Sequence, residues 1–157
     1  MRRRRYLLVL PVVLSTALAS CSSPPEPALQ AAQAQADAFV ESEAASANFL
    51  GAGSFLALQH DAVPLPDEGI TLDYESDARI EGVNVACFGG GEASFGASVR
   101  TGSSWTGLDV MTLVCDGEPR TAPLNEPLER VNALRLNGQI QDGAGAVIAA
   151  AIMGSAG

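Results

Sequence analysis

His60 is the only histidine of this 157-residue chain, so any Ser–His–Asp catalysis would have to use it. It stands beside Asp61 in a predicted loop, but no Gly-x-Ser-x-Gly turn is present to expose a nucleophilic serine. The nearest stretch, residues 92–96, lacks the first glycine and falls in a predicted strand. We therefore expect a solvated loop histidine, and we expect that the protein is not an enzyme.

Asp73, Glu75 and Asp77 alternate along the chain as the first ligands of a calcium-binding loop do. Such a loop also needs a glycine at its sixth position, where this sequence has Ala78, and a glutamate at its twelfth, which is absent. The carboxylates are better explained as solvent-facing groups of an edge strand, where charge prevents pairing with another sheet. We expect neither a metal site nor a cofactor.

Trp105, the single tryptophan, is the strongest candidate for contact with a ligand or a partner. It lies within residues 101–107, a polar segment that we predict to be a loop joining two strands. An exposed tryptophan in such a loop stacks on a sugar or anchors a protein partner. The alternative, which we favour for a domain this small, is that the ring folds back and caps the core.

The glycine triplet Gly89–Gly91 is the other feature that would let a ligand approach the backbone closely. Phosphate-binding loops combine such glycines with a lysine or the start of a helix, and neither accompanies the triplet. The Gly-x-Gly-x-x-Gly spacing of dinucleotide-binding folds is not met either. The triplet therefore predicts a flexible hairpin turn.

The charge of the chain is distributed very unevenly. Four of its nine basic residues are Arg2–Arg5, and every acidic residue lies after position 25. Beyond that point five arginines stand against 18 acidic residues, so the formal charge is −13, and the chain has no lysine. A body this acidic repels phosphate backbones, which excludes nucleic acid as a partner. The hydrophobic content of 47% excludes a wholly disordered chain.

The first twenty residues have the three parts of an export signal. Arg2–Arg5 form a positive region, residues 6–14 are apolar, and residues 15–20 are mostly small. The alternative is a transmembrane anchor, but the apolar stretch is short and Pro11 interrupts it. Residues 1–20 are therefore predicted to be a signal peptide.

The sequence Leu18-Ala19-Ser20-Cys21 resembles the bacterial lipobox. The resemblance implies that Cys21 receives a diacylglyceryl group and becomes the first residue of the mature chain. Two acyl chains anchor a protein stably in a bilayer, so we expect a location on the extracytoplasmic face of the cell membrane. Residues 3–7 also loosely resemble a twin-arginine export signal, and the general secretory route remains open. Residues 21–27, with three prolines, are predicted to be an extended tether.

With Cys21 assigned to lipid, two cysteines remain, Cys87 and Cys115. Two thiols in an exported protein predict one disulfide. The closed loop of about 29 residues would stabilise the fold by about 3.5 kcal/mol in the chain-entropy model.

The hydrophobic pattern of the mature chain changes from helical to extended near residue 50. Residues 28–50 are predicted to form an amphipathic helix, because apolar residues recur at spacings of three and four. Residues 51–157 predict a disulfide-bridged, mainly β domain, either a β-sandwich or a jelly-roll-like barrel. The last of its strands could instead be a helix, since alanine-rich runs are ambiguous. The seven predicted strands are 54–58, 70–74, 83–87, 93–99, 110–115, 134–140 and 146–153.

Residues 83–91, 113–117, 134–136 and 145–149 together resemble a group of small secreted lipoproteins of high-GC Gram-positive bacteria. Members of that group have a first cysteine followed by a glycine turn, a second cysteine in a Cys-Asp-Gly step and a closing apolar strand. The resemblance covers residues 70–153 and implies a disulfide-pinned β-sandwich. It carries over no catalytic residue.

Three functions are compatible with these features. We favour a membrane-anchored, non-enzymatic binding or accessory module of the cell envelope, whose partner is an envelope protein or a glycan. The second is a structural lipoprotein that docks on a membrane protein through its N-terminal helix. The third, an envelope hydrolase, is the least favoured, because no nucleophile, base or metal cluster is recognisable.

Overall fold

The computed structural model describes residues 26–58 and 69–157. Within them the protein is mainly β with one N-terminal helix, as predicted. Its seven antiparallel strands belong to a single sheet. The predicted signal peptide, Cys21, His60 and the tether up to residue 25 lie outside the described residues. The predicted boundary between the tether and the helix at residues 27 and 28 is wrong, because the helix already begins at Glu26. The elements are α1 (Glu26–Ala44), β1 (Phe49–Ala57), β2 (Ile70–Thr101), β3 (Ser104–Gly107), β4 (Met111–Asp116), β5 (Arg120–Thr121), β6 (Leu128–Asp142) and β7 (Ala146–Ala156).

Strand β2 organises the fold because its 32 residues pair with five of the other strands in turn. Residues 78–88 pair with β7, and β1 extends that layer on the far side of β7. Residues 92–100 pair with β6, which also pairs with the start of β2. The sheet therefore folds over itself into two layers, and the side chains between them form the main core. The three strands that were predicted within residues 70–99 are segments of this one strand.

The glycine triplet lies at the corner where β2 leaves one layer for the other. The backbone φ angles of Gly89, Gly90 and Gly91 are 124°, 87° and 81°, a region that residues with a side chain rarely adopt. A Cβ atom at Gly91 would also collide with the carbonyl oxygen of Asp142. The predicted hairpin turn is wrong, because β2 continues past the triplet without reversing. The glycines instead form a bulge that bends a continuous strand.

Strand β7 is buried on both faces, which explains the run of apolar residues at 146–153. The side chains of Ile148 and Ile152 point into the core between the layers. Those of Val147 and Ala151 point outward and pack beneath α1. The ambiguity between helix and strand is thereby settled in favour of a strand covered by a helix.

Helix α1 packs its apolar stripe on the outer face of the layer that contains β7. Ala32, Ala36 and Phe39 are buried there, and the Phe39 ring lies 6.4 Å from that of Phe88. This amphipathic helix was predicted, but the predicted end at residue 50 is wrong. The helix ends at Ala44 and β1 begins at Phe49, because residues 49–57 pair with the backbone of β7, which a helical segment could not do.

Strand β4 departs from the prediction that residues 110–115 are covered on both faces. Leu113 and Cys115 are buried, whereas Thr112 and Val114 are exposed, and Val110 lies before the strand with 70% of its surface exposed. One face of β4 therefore belongs to the core and the other to the surface.

Candidate functional site

The predicted disulfide between Cys87 and Cys115 is confirmed. It joins β2 to β4 immediately before the glycine corner, with the two Cα atoms 4.2 Å apart. The cysteines are only 1% and 4% exposed, so solvent has little access to their sulfurs. The backbone nitrogen of Gly117 donates to the Cys87 carbonyl at 2.9 Å and closes the same corner. The disulfide is a structural link between strands.

Trp105 lies on strand β3, where it pairs directly with Arg100 of β2, so the prediction that it belongs to a loop is wrong. The favoured prediction that its ring caps the core is also wrong. The residue is not part of the core clusters and remains 38% exposed. The alternation of side chains along a strand explains why Trp105 is exposed. Val99 and Thr106 form the neighbouring cross-strand pair, and Val99 points into the core. The next pair, Arg100 and Trp105, must point outward.

Two guanidinium groups contact the indole ring of Trp105. The Cζ atoms of Arg135 and Arg100 lie 4.6 Å and 5.5 Å from the ring centroid, within the range of a cation–π interaction. The arginines belong to different strands, β6 and β2, which are neighbours in the sheet. The ring of Trp105 on β3 thus contacts arginine side chains from two other strands, β2 and β6.

Arg100 is fixed by hydrogen bonds to two further residues. Its Nε donates to Oδ1 of Asn132 at 2.8 Å, and its Nη2 donates to Oδ1 of Asp73 at 2.9 Å. Asn132 in turn donates to the carbonyl oxygen of Gly102 at 2.9 Å. This network ties the turn between β2 and β3 to β6, so the position of Trp105 is set by the sheet.

The outward residues beside the ring are small and polar. Ser98 lies opposite Arg135 on β6 and opposite Gly107 on β3, and Asn137 lies opposite Gly96. A Cβ at Gly96 would come within 2.6 Å of the Asn137 Oδ1, so this amide lies flat across the glycine. We call the surface formed by Ser98, Arg100, Trp105, Arg135 and Asn137 the Trp105 platform.

The Trp105 platform brings two arginine side chains together on an acidic protein. It contains two of the five arginines that follow position 25. Asp73 forms an ion pair with Arg100, with 2.9 Å between its Oδ1 and the Arg100 Nη2.

The alternating carboxylates do not come together as metal ligands. Asp73 is paired with Arg100, while Glu75 and Asp77 lie exposed in the bulged part of β2 that follows. Across residues 26–58 and 69–157 there is no group of three or more His, Cys, Asp or Glu side chains placed to hold a metal ion. Asp73 instead orients the guanidinium group of Arg100.

A concavity separate from the Trp105 platform lies between β3 and the segment that leads into β6. Leu108, Leu124 and Leu128 line it, with Glu126 and Asp109 at the rim. It is a shallow, open groove, and its rim carboxylates carry the same sign as most of the surface. The groove lacks the tryptophan ring and the arginines that distinguish the Trp105 platform.

Sequence reasoning found Trp105 but missed Arg100 and Arg135. The available signal was that each arginine takes an outward position in an alternating strand, Arg100 after Val99 and Arg135 between Leu134 and Leu136. The pattern does not show that the two strands are neighbours, which only the pairing of β2 with β6 reveals.

The described part of the chain contains no helix that is long and apolar enough to cross a bilayer. Comparison of this chain with protein-family models, with curated protein sequences and with solved structures finds no match.

Proposed function

We propose that the protein is a lipid-anchored, non-enzymatic binding or accessory module of the cell envelope, and that it binds its partner through the Trp105 platform. The observation that carries the proposal is a half-exposed tryptophan ring held by two arginines on a rigid sheet. Tryptophan and arginine are the residues that most often dominate binding energy at interfaces. A preorganised ring loses little conformational entropy when a partner binds.

The anchor is supported by the lipobox-like residues that end in Cys21. Cys21 precedes Glu26, the first residue of α1, by only five residues, which span at most about 18 Å when extended. An acylated Cys21 would therefore hold α1 close to the membrane surface. Helix α1 covers the outer face of one layer and Trp105 the outer face of the other. The anchor thus leaves the Trp105 platform accessible on the extracytoplasmic side.

The structure does not favour docking on a membrane protein through α1, the second function considered above. The apolar stripe of the helix is already occupied by β7 and β2. The side of the helix that remains is formed by exposed residues such as Gln35 and Ala38. This side lacks the apolar anchors that a docking helix presents to a partner.

The anchor is tested by fractionating cells that express the full chain or its Cys21→Ser variant. We expect the unaltered protein in the membrane fraction, with the mass of an acylated chain that begins at Cys21. The variant should be found uncleaved and without acyl mass, because serine does not accept the thioether-linked lipid. An unaltered protein that carries no acyl group would overturn the anchor.

The Trp105 platform is tested by replacing Trp105 with alanine and cross-linking the protein in intact envelopes. We expect loss of the cross-linked partner or of glycan retention in Trp105→Ala. Leu56→Ala should keep both, since Leu56 is also an exposed large apolar residue but lies on β1 in the other layer. Retention by Trp105→Ala, combined with loss in Ala38→Glu on the open side of α1, would favour the helix. Turnover of cell-wall or ester substrates would refute a non-enzymatic role.

A further inference from the structure

We propose that the domain rests on the bilayer with one defined face, and that Leu56 and Leu58 of this face enter the membrane interface beside the acyl anchor. The contact rests on the anchor proposed above, and it adds the surface of the domain that is turned towards the lipid. Four observations support it: two exposed leucines, their position beside α1, the absence of charge around them and the place where the anchor joins the domain.

Leu56 and Leu58 are the exposed leucines of the described residues, with 48% and 41% of their surfaces exposed. Ala57 between them is completely buried, so the alternation of side chains turns both leucines outward. This outer side of β1 is the side on which α1 packs, because Ala52 contacts the cluster beneath the helix. Two large apolar side chains thus lie in solvent on the outermost strand of the layer, where an apolar medium would stabilise them.

Helix α1 reaches β1 next to these leucines. The side-chain nitrogen of Gln33 donates to the hydroxyl oxygen of Ser54 at 3.0 Å. Ser54 lies on the same side of β1 as Leu56 and precedes it along the strand by about 7 Å. The first half of α1 and the leucines therefore belong to one continuous surface.

The surface around the leucines is formed by uncharged segments. Neither residues 28–36 of α1 nor residues 49–58 contain Asp, Glu, Lys or Arg, and we call the surface that they form the uncharged face. The acidic residues of α1 lie outside it, at the start of the helix and in its second half: Glu26, Asp37, Glu41 and Glu43. Anionic lipid headgroups repel carboxylates. On a protein with 18 acidic residues, the uncharged face is therefore a part that can approach lipid without this repulsion.

The lipid anchor joins the domain at the uncharged face. Cys21 precedes Glu26 by five residues, which span at most about 18 Å. Gln33 lies about 10 Å further along the helix. An acylated Cys21 would therefore hold the bilayer within about 28 Å of the contact between Gln33 and Ser54. Trp105 lies on the outer face of the other layer, so the bilayer is the occupant that the chain itself brings to the uncharged face.

The acyl chains and the leucines have different effects in this contact. Two acyl chains suffice to keep a protein at a membrane, so the leucines determine the orientation of the domain and not its attachment. A domain that is held at both points does not rotate about its tether, and the Trp105 platform then faces away from the lipid. Leu56→Ala retains Leu58 and the acyl chains, so capture of a partner by the Trp105 platform does not depend on it.

The test locates both layers relative to lipid in the acylated protein, purified from the cells that make it. A fluorophore is attached through Gln30→Cys on the uncharged face or through Thr112→Cys on the outer side of β4, and both positions are exposed. The protein is reconstituted into vesicles of phosphatidylcholine and phosphatidylglycerol whose acyl chains carry bromine, which quenches a fluorophore in contact with the lipid. Trp105 is the only tryptophan and reports on the platform without a label.

Two double variants of the protein labelled at position 30 test the leucines themselves. The leucine variant carries Leu56→Asn and Leu58→Asn. The valine variant carries Val110→Asn and Val114→Asn and is the matched control, because these residues are also exposed and apolar but lie at β4. Circular dichroism verifies that each variant folds, and mass spectrometry verifies that it is acylated.

We expect the lipid to quench the label at position 30 and to leave Trp105 and the label at position 112 unquenched. The leucine variant should lose most of the quenching at position 30, because its domain rotates freely about the tether. The valine variant should retain it. Equal quenching at positions 30 and 112, or full quenching at position 30 in the leucine variant, would overturn the membrane contact.

The remaining outcomes separate this contact from the proposed function. If Cys21 is acylated but lipid does not quench the label at position 30, the contact is wrong and the anchor stands. A disulfide between the introduced thiols of two unlabelled copies, without quenching by lipid, would assign the uncharged face to a second copy instead. A protein without an acyl group would overturn the anchor and the contact together, while capture of a partner through Trp105 tests the platform independently.

Discussion

The phenol oxygen of Tyr74 is buried and has no hydrogen-bond partner among the residues that the structure describes. Burial raises the pKa of Tyr74 to about 12, because the low-dielectric surroundings disfavour the phenolate. The ring packs against the main core from β2, so the hydroxyl is carried inside with the aromatic surface. A hydroxyl buried in this way contributes little to stability, and its raised pKa makes the free energy of unfolding depend on pH.

Stability should accordingly fall in strongly alkaline solution. In the unfolded chain Tyr74 loses its proton near pH 10, whereas in the folded protein it holds the proton until about pH 12. The folded state therefore binds more protons between these values, and the free energy of unfolding decreases as pH rises through this window. Urea denaturation of the protein and of Tyr74→Phe at pH 8, 10 and 11 measures the effect.

The phenylalanine variant should be as stable as the protein or up to about 1 kcal/mol more stable at pH 8, since it removes an unpaired buried hydroxyl. Above pH 10 the free energy of unfolding of Tyr74→Phe should exceed that of the protein by a larger amount. A variant that is less stable at pH 8 would show that the hydroxyl has a partner. A pH dependence identical to that of the protein would show that folding does not raise the pKa of Tyr74.

Arg130 is the one residue other than glycine with a positive φ among the described residues, at 55°. It lies in a bulge of β6, where residues 129 and 130 stand opposite the single residue 79 of β2. The left-handed conformation costs a residue with a side chain roughly 1 kcal/mol. The bulge adjusts the path of β6 before it reaches the Trp105 platform.

Arg130→Gly should raise the free energy of unfolding by about 0.5–1 kcal/mol, because glycine adopts this φ without strain. Arg130→Val should lower it by about 1 kcal/mol, since a β-branched side chain tolerates the left-handed region poorly. The side chain is exposed, so neither substitution removes core packing. Thermal unfolding of both variants measures the difference, and a destabilised glycine variant would contradict the account.

At the scale of the elements, the disulfide between Cys87 and Cys115 links strand β2 to strand β4. Beside it β2 bends at three glycines, and glycine weakens a strand because it adds conformational freedom to the unfolded chain. The disulfide holds β4 against β2 at the site where the ladder between them is interrupted. A corner of the sheet where strand pairing is interrupted is therefore covalently closed.

Replacing Cys87 and Cys115 together with alanine should lower the free energy of unfolding by about 2–4 kcal/mol, as expected for a loop of this length. Adding a reductant should weaken the unaltered protein to a similar degree and leave the double variant unchanged. Urea denaturation with and without reductant provides the measurement. Equal stability of the protein and the double variant would mean that packing alone closes the corner.

At the scale of the assembled domain, α1 acts as a third layer. Without it the outward side chains of β7 would lie in solvent, since they are as apolar as the inward ones. The helix uses mainly alanine for this purpose, which allows close approach to the sheet but buries little area per residue. The helix therefore completes the fold instead of extending from it.

Ala36→Glu should displace α1 and destabilise the protein by several kcal/mol, because the carboxylate would be buried without a partner. Ala38→Glu, two residues further along and exposed, should have almost no effect. Hydrogen exchange in β7 distinguishes the variants, since its amides lose their cover only in Ala36→Glu. Equal protection in both would mean that the helix is not required to cover the sheet.

Local patterns were sufficient to predict much of this protein. Alternation of apolar and polar residues identified most strand segments, spacings of three and four identified the helix, and the cysteine count identified the disulfide. Each of these signals depends on residues that are close in sequence, or on a count. The resemblance to a group of secreted lipoproteins, the lipid anchor at Cys21 and the binding function remain predictions.

Tertiary structure decided what depends on pairing between distant segments. Residues 70–101 form one bent strand because β6 and β7 pair along it, and the helix ends early because β1 pairs with β7. Trp105 meets Arg135 because β2 lies between their two strands. Periodicity shows which way a side chain points but not which strand lies beside it. Strand order is set by burial and backbone hydrogen bonding over the entire domain.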